Sequence, residues 1–455
     1  MLSSSSTLAD QLKGRVIDPG HPDYDEARTV FYGDVDRRPS AIVKVANADD
    51  VARAIAHARE DGLEFAVRSG GHSVAGHSTT EGGIVIDLTD MKKLEIAPEG
   101  RTAWAETGLT AGEYTSAAAR HGLATGFGDT GSVGIGGITL GGGVGFLVRK
   151  HGLTIDDLLA AEVVTADGDL LYTDDATHPD LFWAIRGGGG NFGVATRLKF
   201  RLHPLESFVG GMLFLPATPD VIASFVAEAE AAPDELSTIA NVMTAPPLPF
   251  LPEEVHGQML LMAFVAYAGD VADGERAIAP LRALAEPVAD MVRPMSYAEM
   301  YPPEEEEYRP VAVAKTMFVE SVGLGAAETI VERIKASDAM MAATQIRVLG
   351  GAVARVPAHA TAYAHRDRRI MVNVAAMYQN PEERPKHAAW VEGLAGELRQ
   401  ENQGAYVGFL ADEGEERVRA AYPGPTWDRL REVKRAYDPD NVFRLNQNIP
   451  PADGS

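Results

Sequence analysis

The segment RSGGHS, Arg68 to Ser73, read together with GSVGIGGITLGGGVG, Gly131 to Gly145, decides the fold of this 455-residue chain. Of its 46 glycines, 27 lie between Gly62 and Gly193. Glycine at that density marks backbone that approaches another surface closely or turns through positive φ. Arg68–Ser73 follows a predicted strand, and successive amides around two glycines form a concave nest suited to a pyrophosphate. Arg68 and Ser73 are expected to add donors there; a turn that serves only the fold is the alternative. The segment Gly126–Gly145 is expected to form no packed element by itself, so it must lie against protein or ligand. A third loop, RGGGGNFG, spans Arg186 to Gly193.

Two matches to G-x-G-x-x-G, from Gly126 and from Gly188, fail the context that gives this pattern meaning. A dinucleotide fingerprint needs a strand before it and a helix after it. More glycines follow Gly131, and a strand pattern follows Gly193. No phosphate loop ending in Gly-Lys-Ser/Thr and no metal-ligand spacing occurs, so no metal is expected.

Working outward, Asn47–Glu60 reads as a helix with Asn47 as N-cap, Asp49 and Asp50 in the first turn and Gly62 past its end. Glu64–Val67, Gly83–Leu88, Thr102–Thr107 and Val194–Leu202 read as strands, and Thr110–Arg120 as a helix. Glu162–Thr165 and Asp169–Thr173 read as a hairpin about Asp167-Gly168. Past Leu205 the texture changes. Helical stretches at Pro219–Ala231, Gly274–Leu284 and Ala326–Ser337 alternate with extended ones at Met259–Ala266, Ile346–Val353, Arg369–Tyr378 and Ala405–Leu410. That alternation predicts a sheet covered by helices. Pro246–Glu254 and Pro302–Pro310, with its run Glu304–Glu307, read as surface loops. Trp427–Tyr437 reads as a helix, and the apolar tail Val442–Ile449 is expected to pack on something. The fold class is α+β.

The length favours more than one structural unit. The formal net charge of −24, from 65 Asp and Glu against 41 Lys and Arg, repels nucleic acid and acidic membranes at long range. The chain has no cysteine, which excludes disulfides, thiolate catalysis and cysteine–metal sites. No secretory signal and no apolar run of about 20 residues is seen, so no membrane association and a cytoplasmic location are expected.

Five segments together resemble the berberine-bridge-enzyme-like branch of the vanillyl-alcohol-oxidase flavoproteins: Arg68–Ser73, Gly131–Gly145, Arg149–Asp156 (RKHGLTID), Asp180–Gly193 (DLFWAIRGGGGNFG) and Tyr437–Ile449 (YDPDNVFRLNQNI). They stand in the family's order and span most of the chain. The resemblance implies an FAD-binding domain of the PCMH type over residues 1–205, its core about 37–205. It implies a substrate domain over 206–425, with an antiparallel sheet roofing the isoalloxazine, and a segment 426–455 returning to the flavin domain. Cofactor contacts would come from Arg68, Ser69, Gly70, Gly71, His72, Ser73, Thr130, Ser132, Val133, Gly136, Gly137, Gly143, Gly193, Val194, Asn446 and Asn448.

In this family the histidine of Gly-Gly-His-Ser bonds to the flavin 8α-methyl, which implies a covalent link at His72. The chemistry needs a neutral imidazole nitrogen, which histidine supplies near neutral pH. A histidine that only completes the loop is the alternative, and His77 is a weaker linker. Many relatives carry a second link from the cysteine of a Cys-Pro-Thr-Val-Gly pattern. That pattern corresponds here to Thr130-Gly131-Ser132-Val133-Gly134, so the second link is impossible and a mono-covalent flavin is expected. Val133 stands at the family's oxygen-gatekeeper position, and a small residue there resembles the oxygen-using members.

The catalytic positions depart from the family. Relatives carry a Glu or Gln base on the strand corresponding to Arg369–Tyr378, where this chain has Asn373. Asparagine orients a substrate but accepts no proton. Tyr406 and Tyr378 remain as phenol candidates, with a buried structural aromatic as the alternative for each. The expected reaction is hydride abstraction from an apolar or aromatic alcohol, with electrons passed to O2 to give H2O2. A flavin-dependent oxygenase and a flavin-binding protein without turnover are the alternatives.

Overall fold

A computed structural model describes residues 8–303, 308–401 and 404–454; the acidic run Glu304–Glu307 lies outside them. The glycine-rich half holds two larger sheets, beside a two-stranded pairing of Leu123–Ala124 with His203–Pro204. In the first, the parallel strands Ala41–Lys44, Ile84–Asp87 and Phe65–Arg68 are edged by antiparallel Arg15–Ile17. The second is antiparallel, ordered Leu94–Ala97, Thr102–Glu106, Val194–Arg201, Leu158–Val164, Leu170–Thr173. Helix Ala48–Glu60 is capped by Asn47, whose side chain accepts from the Asp50 amide. Helix Ala111–Ala119 starts with a reciprocal Thr110–Glu113 capping box, a pattern that satisfies two otherwise orphaned amides.

The second half forms one eight-stranded antiparallel sheet. Its main path runs Ala289–Asp290, Val209–Pro216, Met259–Tyr267, Leu236–Thr244, Met341–Val348, Ile370–Met377, Ala312–Val319. Strand residues alternate between faces. Val242, Val265, Ile346 and Val372 pack under helices Pro219–Ala231, Val271–Arg282, Leu324–Lys335 and Arg384–Leu398. The opposite face sends Ile239 and Phe264 into the core of the glycine-rich half. Phe318 and Met371 on that face pack with Val144 and Tyr406.

Three sequence expectations are corrected. Gly126–Gly145 contains a short helix, Ile135–Gly141; it forms because its amides and apolar side chains pack against neighbouring backbone. The extended stretch Ile346–Val353 is displaced to Met341–Val348, and Ala352–Arg355 is helical. Gly350 and Gly351, at φ +85° and +51°, turn the chain out of the sheet in a conformation that side chains disfavour. Ala405–Leu410 joins no sheet; Val407–Phe409 is a 3-10 turn.

The tail behaves as expected. Ile449 is fully buried and its amide donates to Asn191 Oδ1 at 2.9 Å. Phe443 packs edge-on against Phe65 with ring centroids 5.5 Å apart. Lys434 and Asp438, both without solvent exposure, pair at 2.6 Å and tie the helix Pro425–Tyr437 to the tail.

Candidate active site

The first two glycine loops meet backbone to backbone. A Cβ on Gly70 would stand 2.1 Å from the Gly134 amide nitrogen, and one on Gly134 would stand 2.2 Å from that of Gly70. No side chain fits such an approach. Ser69 Oγ locks the junction, donating to the Thr107 carbonyl at 2.5 Å and accepting from the Gly136 amide at 3.3 Å. The third loop is fixed by Asn191, whose Nδ2 donates to Gly188 O at 2.8 Å and to Gln447 O at 3.1 Å.

Between the three loops, the tail and the segment Tyr406–Leu410 runs one cleft. Eleven of the residues expected to hold a cofactor line it: Ser69, Gly70, Gly71, His72, Ser73, Thr130, Val133, Gly136, Gly137, Gly193 and Asn446. Arg68 and Ser132 instead border a second cavity behind the first loop. Gly143, Val194 and Asn448 line neither.

Arg68 is committed to the fold. Its guanidinium reaches Asp87 at 2.7 Å and the carbonyls of Ala27 and Thr29 at 2.6 and 3.1 Å. A buried guanidinium needs such partners, so it anchors the loop's base and does not reach into the cleft. Ser73 Oγ accepts from the His77 amide at 3.1 Å. Gly143 is a packing glycine at φ +79°, where a Cβ would strike Thr154 Oγ1 at 2.0 Å.

His72 lies where the two loops meet. Its Nε2 is 2.9 Å from Ser132 Oγ, and its ring stacks on Phe31 with centroids 4.0 Å apart and planes 23° from parallel. A hydrogen bond to one imidazole nitrogen sets which nitrogen carries the proton. Tyr406 lines the cleft, but its hydroxyl accepts from the Gly143 amide at 3.0 Å, and burial pushes its pKa above the ordinary phenol value. Tyr378 lies outside the cleft lining; it stacks on His387 at 5.2 Å and its hydroxyl accepts from Arg384 at 3.3 Å. Asn373 sits in the sheet opposite Gln345, with a buried Oδ1 that takes no protein hydrogen bond, and it does not line the cleft.

Several site residues escaped the sequence reading. Phe31 and Tyr32 come from a loop far upstream; burial, then the charge of Asp129, pushes the Tyr32 phenol up to about 12. Asp129 projects from the second glycine loop. Arg347 reaches it from the sheet: Nη2 donates to Asp129 Oδ2 at 2.7 Å, Nη1 to Val144 O at 3.2 Å and Nε to Gln345 Oε1 at 2.9 Å. Gln345 in turn donates to Asn241 Oδ1 at 3.1 Å. The available signals were a lone acid within a glycine run and an alternation that puts Gln345 and Arg347 on one face.

The cleft fits a flavin dinucleotide. A Cβ added at Gly137 or Gly190 would meet no protein atom within 4 Å, so these glycines leave open space that the fold itself does not use. Asn446, which lines the cleft, has a buried Oδ1 without a protein donor, and such an atom is rare unless something else satisfies it. Glycine amides flanking the cleft suit phosphate oxygens.

Comparisons with known proteins agree with this geometry. The FAD binding domain family matches residues 39–174, and the berberine and berberine-like family matches residues 405–450. An uncharacterized FAD-linked oxidoreductase of Bacillus subtilis is 32% identical, over 97% of this chain and 98% of its own. The (R)-6-hydroxynicotine oxidase of Paenarthrobacter nicotinovorans is 32% identical, over 98% of this chain and 99% of its own. The crystal structure of 6-hydroxy-D-nicotine oxidase from Arthrobacter nicotinovorans superposes with a TM-score of 0.86 at 29% identity, covering 97% of this chain and 98% of that one. With sequence, fold and cleft in agreement, this chain belongs to the berberine-bridge-enzyme-like FAD-linked oxidoreductases and is an FAD-dependent enzyme.

Proposed function

We propose that this enzyme is an oxidase of apolar or aromatic alcohols, with FAD carried on a single covalent bond to His72 and electrons passed to O2 to give H2O2. The observation that carries the reading is the setting of His72. It lines the cleft, its ring is held by Phe31 and its Nε2 by Ser132, as a fixed point of attachment requires. Bound FAD supplies the acceptor for a hydride, chemistry that no side chain offers.

The chain's own residues bind, orient and exclude water. The cleft lining includes Phe31, Tyr32, Tyr406 and Phe409, flat surfaces that favour an aromatic or apolar donor over a sugar. A relative that acts on 6-hydroxynicotine, a heteroaromatic molecule, points the same way. Val133 lines the cleft with a small side chain, which leaves room for O2.

Acid precipitation tests the attachment: the parent should give a yellow pellet and His72→Ala a colourless one. A colourless parent pellet, with all flavin in the supernatant, refutes the covalent link. A panel of benzylic, allylic and aliphatic alcohols and of oligosaccharides, with peroxide detection, tests the substrate class. Activity confined to the oligosaccharides overturns the alcohol reading, and labelled oxygen appearing in the organic product overturns the oxidase reading.

A further inference from the structure

We propose that Asp129 is the base of the reaction: its carboxylate takes the hydroxyl proton of the alcohol, while Arg347 holds it in position. The assignment rests on the alcohol-oxidase reading above. Oxidising an alcohol to a carbonyl removes two hydrogens. One leaves carbon with its electron pair; the other leaves oxygen as a proton and needs an acceptor within hydrogen-bond reach, about 2.6–3.2 Å.

Among the described residues lining the cleft, Asp129 is the sole carboxylate. The other titratable groups there are engaged or unsuited. Tyr406 accepts a backbone hydrogen bond and is held protonated by burial. The Tyr422 hydroxyl donates to Gly187 O at 3.1 Å. Tyr32, pushed up to about 12 by burial and by Asp129, is a phenol that keeps its proton. Burial pushes His77 down to about 4, which makes it a poor acceptor. His72 is the attachment point.

Asp129 is placed for the task. Its side chain is 21% exposed, whereas that of Arg347 is 4% exposed. Arg347 engages Oδ2 alone, so Oδ1 is left for an incoming hydroxyl. The guanidinium is clamped from four sides, by Oδ2, Val144 O, Gln345 Oε1 and the face of Phe409 at 4.9 Å. The pair also joins the second glycine loop to the sheet, and Asp129 lines the cleft together with its chain neighbours Gly128 and Thr130.

The step balances. The O–H bond breaks and its proton bonds to Asp129 Oδ1. The C–H bond breaks and its hydrogen leaves with the electron pair to the flavin, as a C=O bond forms. Both electrons and that hydrogen, as a proton, then pass from bound FAD to O2, and Asp129 returns its proton to the same oxygen species, so that alcohol plus O2 gives carbonyl plus H2O2.

The test compares the holoenzyme with Asp129→Asn and Asp129→Glu, using the best alcohol donor of the panel and its methyl ether. Anaerobic flavin bleaching by that donor should slow roughly 10²- to 10⁴-fold in D129N, with flavin content unchanged. A readout without turnover is binding to the dithionite-reduced enzyme. The parent should bind the alcohol about tenfold more tightly than the ether, which cannot donate, and D129N should lose most of that preference. If D129N fails to hold its flavin, D129E keeps the test: it should bleach at least about tenfold faster than Asp129→Ala. Bleaching of D129N within threefold of the parent, or an undiminished preference for the alcohol, overturns the assignment while leaving the oxidase reading intact. A parent enzyme that no alcohol in the panel bleaches overturns both.

Discussion

Replacing Lys434 with methionine should loosen the tail that completes the FAD cleft. Lys434 Nζ donates to Asn191 O at 2.8 Å, Asp438 Oδ2 at 2.6 Å and Phe443 O at 2.9 Å. Methionine nearly conserves the volume and removes all three bonds. Asp438, itself fully buried, would keep only the amides of Val442 and Phe443 at 2.7 and 2.8 Å; Asn191 O would lose the lysine donor, and Phe443 O would keep Asn446 Nδ2 at 3.1 Å. Removing one member of a buried pair costs about 3–5 kcal/mol, because the remaining charge is left uncompensated. For a unit of about 200 residues this lowers the melting temperature by roughly 6–20 °C. Thermal unfolding followed by circular dichroism, with flavin fluorescence as a second signal, reads both the domain and its cofactor. Asp438→Asn added to K434M should restore part of the loss, since it removes the stranded charge. A K434M protein melting within about 2 °C of the parent would refute the idea that this clasp holds the tail.

Four further outcomes follow from the geometry. Ser132→Ala should lower the fraction of flavin retained in the acid pellet, because His72 loses the Ser132 contact at Nε2; an unchanged fraction means that this contact does not orient the ring. Gly137→Leu should fold normally and carry no flavin, since its side chain would enter space where no protein atom lies within 4 Å; a fully flavinylated variant would show that the cofactor does not use that space. Tyr378→Phe should leave kcat within about twofold and cost about 1 kcal/mol for the lost Arg384 bond, which denaturant titration with a donor assay can separate.

The fourth concerns acid. Burial, then the neighbouring His203, pushes His151 down to about 3, with the two rings stacked at 3.8 Å. The unfolded chain, with a histidine near 6.5, therefore binds the extra proton first. The contribution is present above about pH 6.5 and is lost as pH falls toward about 3. His151→Asn should flatten stability against pH across that window; an unaltered slope would assign the acid loss to other groups.

Much of this protein is readable from local chemistry. Asn47 and Thr110 start their helices where side chains that cap amides stand, and Thr218 with Pro219 does so in the second half. The glycine loops announce close backbone contact, because no other residue permits the 2.1 Å approach at Gly70. The role of His72 was not legible that way; it came from the resemblance of its loop to the berberine-bridge-enzyme-like family.

What needed the tertiary structure is whatever depends on partners far apart in sequence. Arg68 read as a phosphate donor, yet Asp87, 19 residues on, claims it. Ala405–Leu410 has strand-like composition, but strand formation requires a neighbour and none is offered there. Tyr378 and Tyr406 look alike as buried tyrosines near a sheet; only the fold sends one to His387 and the other to the cleft. Asp129 and Arg347 are separated by 218 residues, and neither has meaning without the other. The sequence by itself determined the glycine cradle, because close backbone approach is a local property, and its resemblance to a flavoprotein family implied the flavin and a link at His72. The tertiary structure alone decided which side chains line the cleft and which pair across it, because that depends on where a sheet from the second half meets a loop from the first.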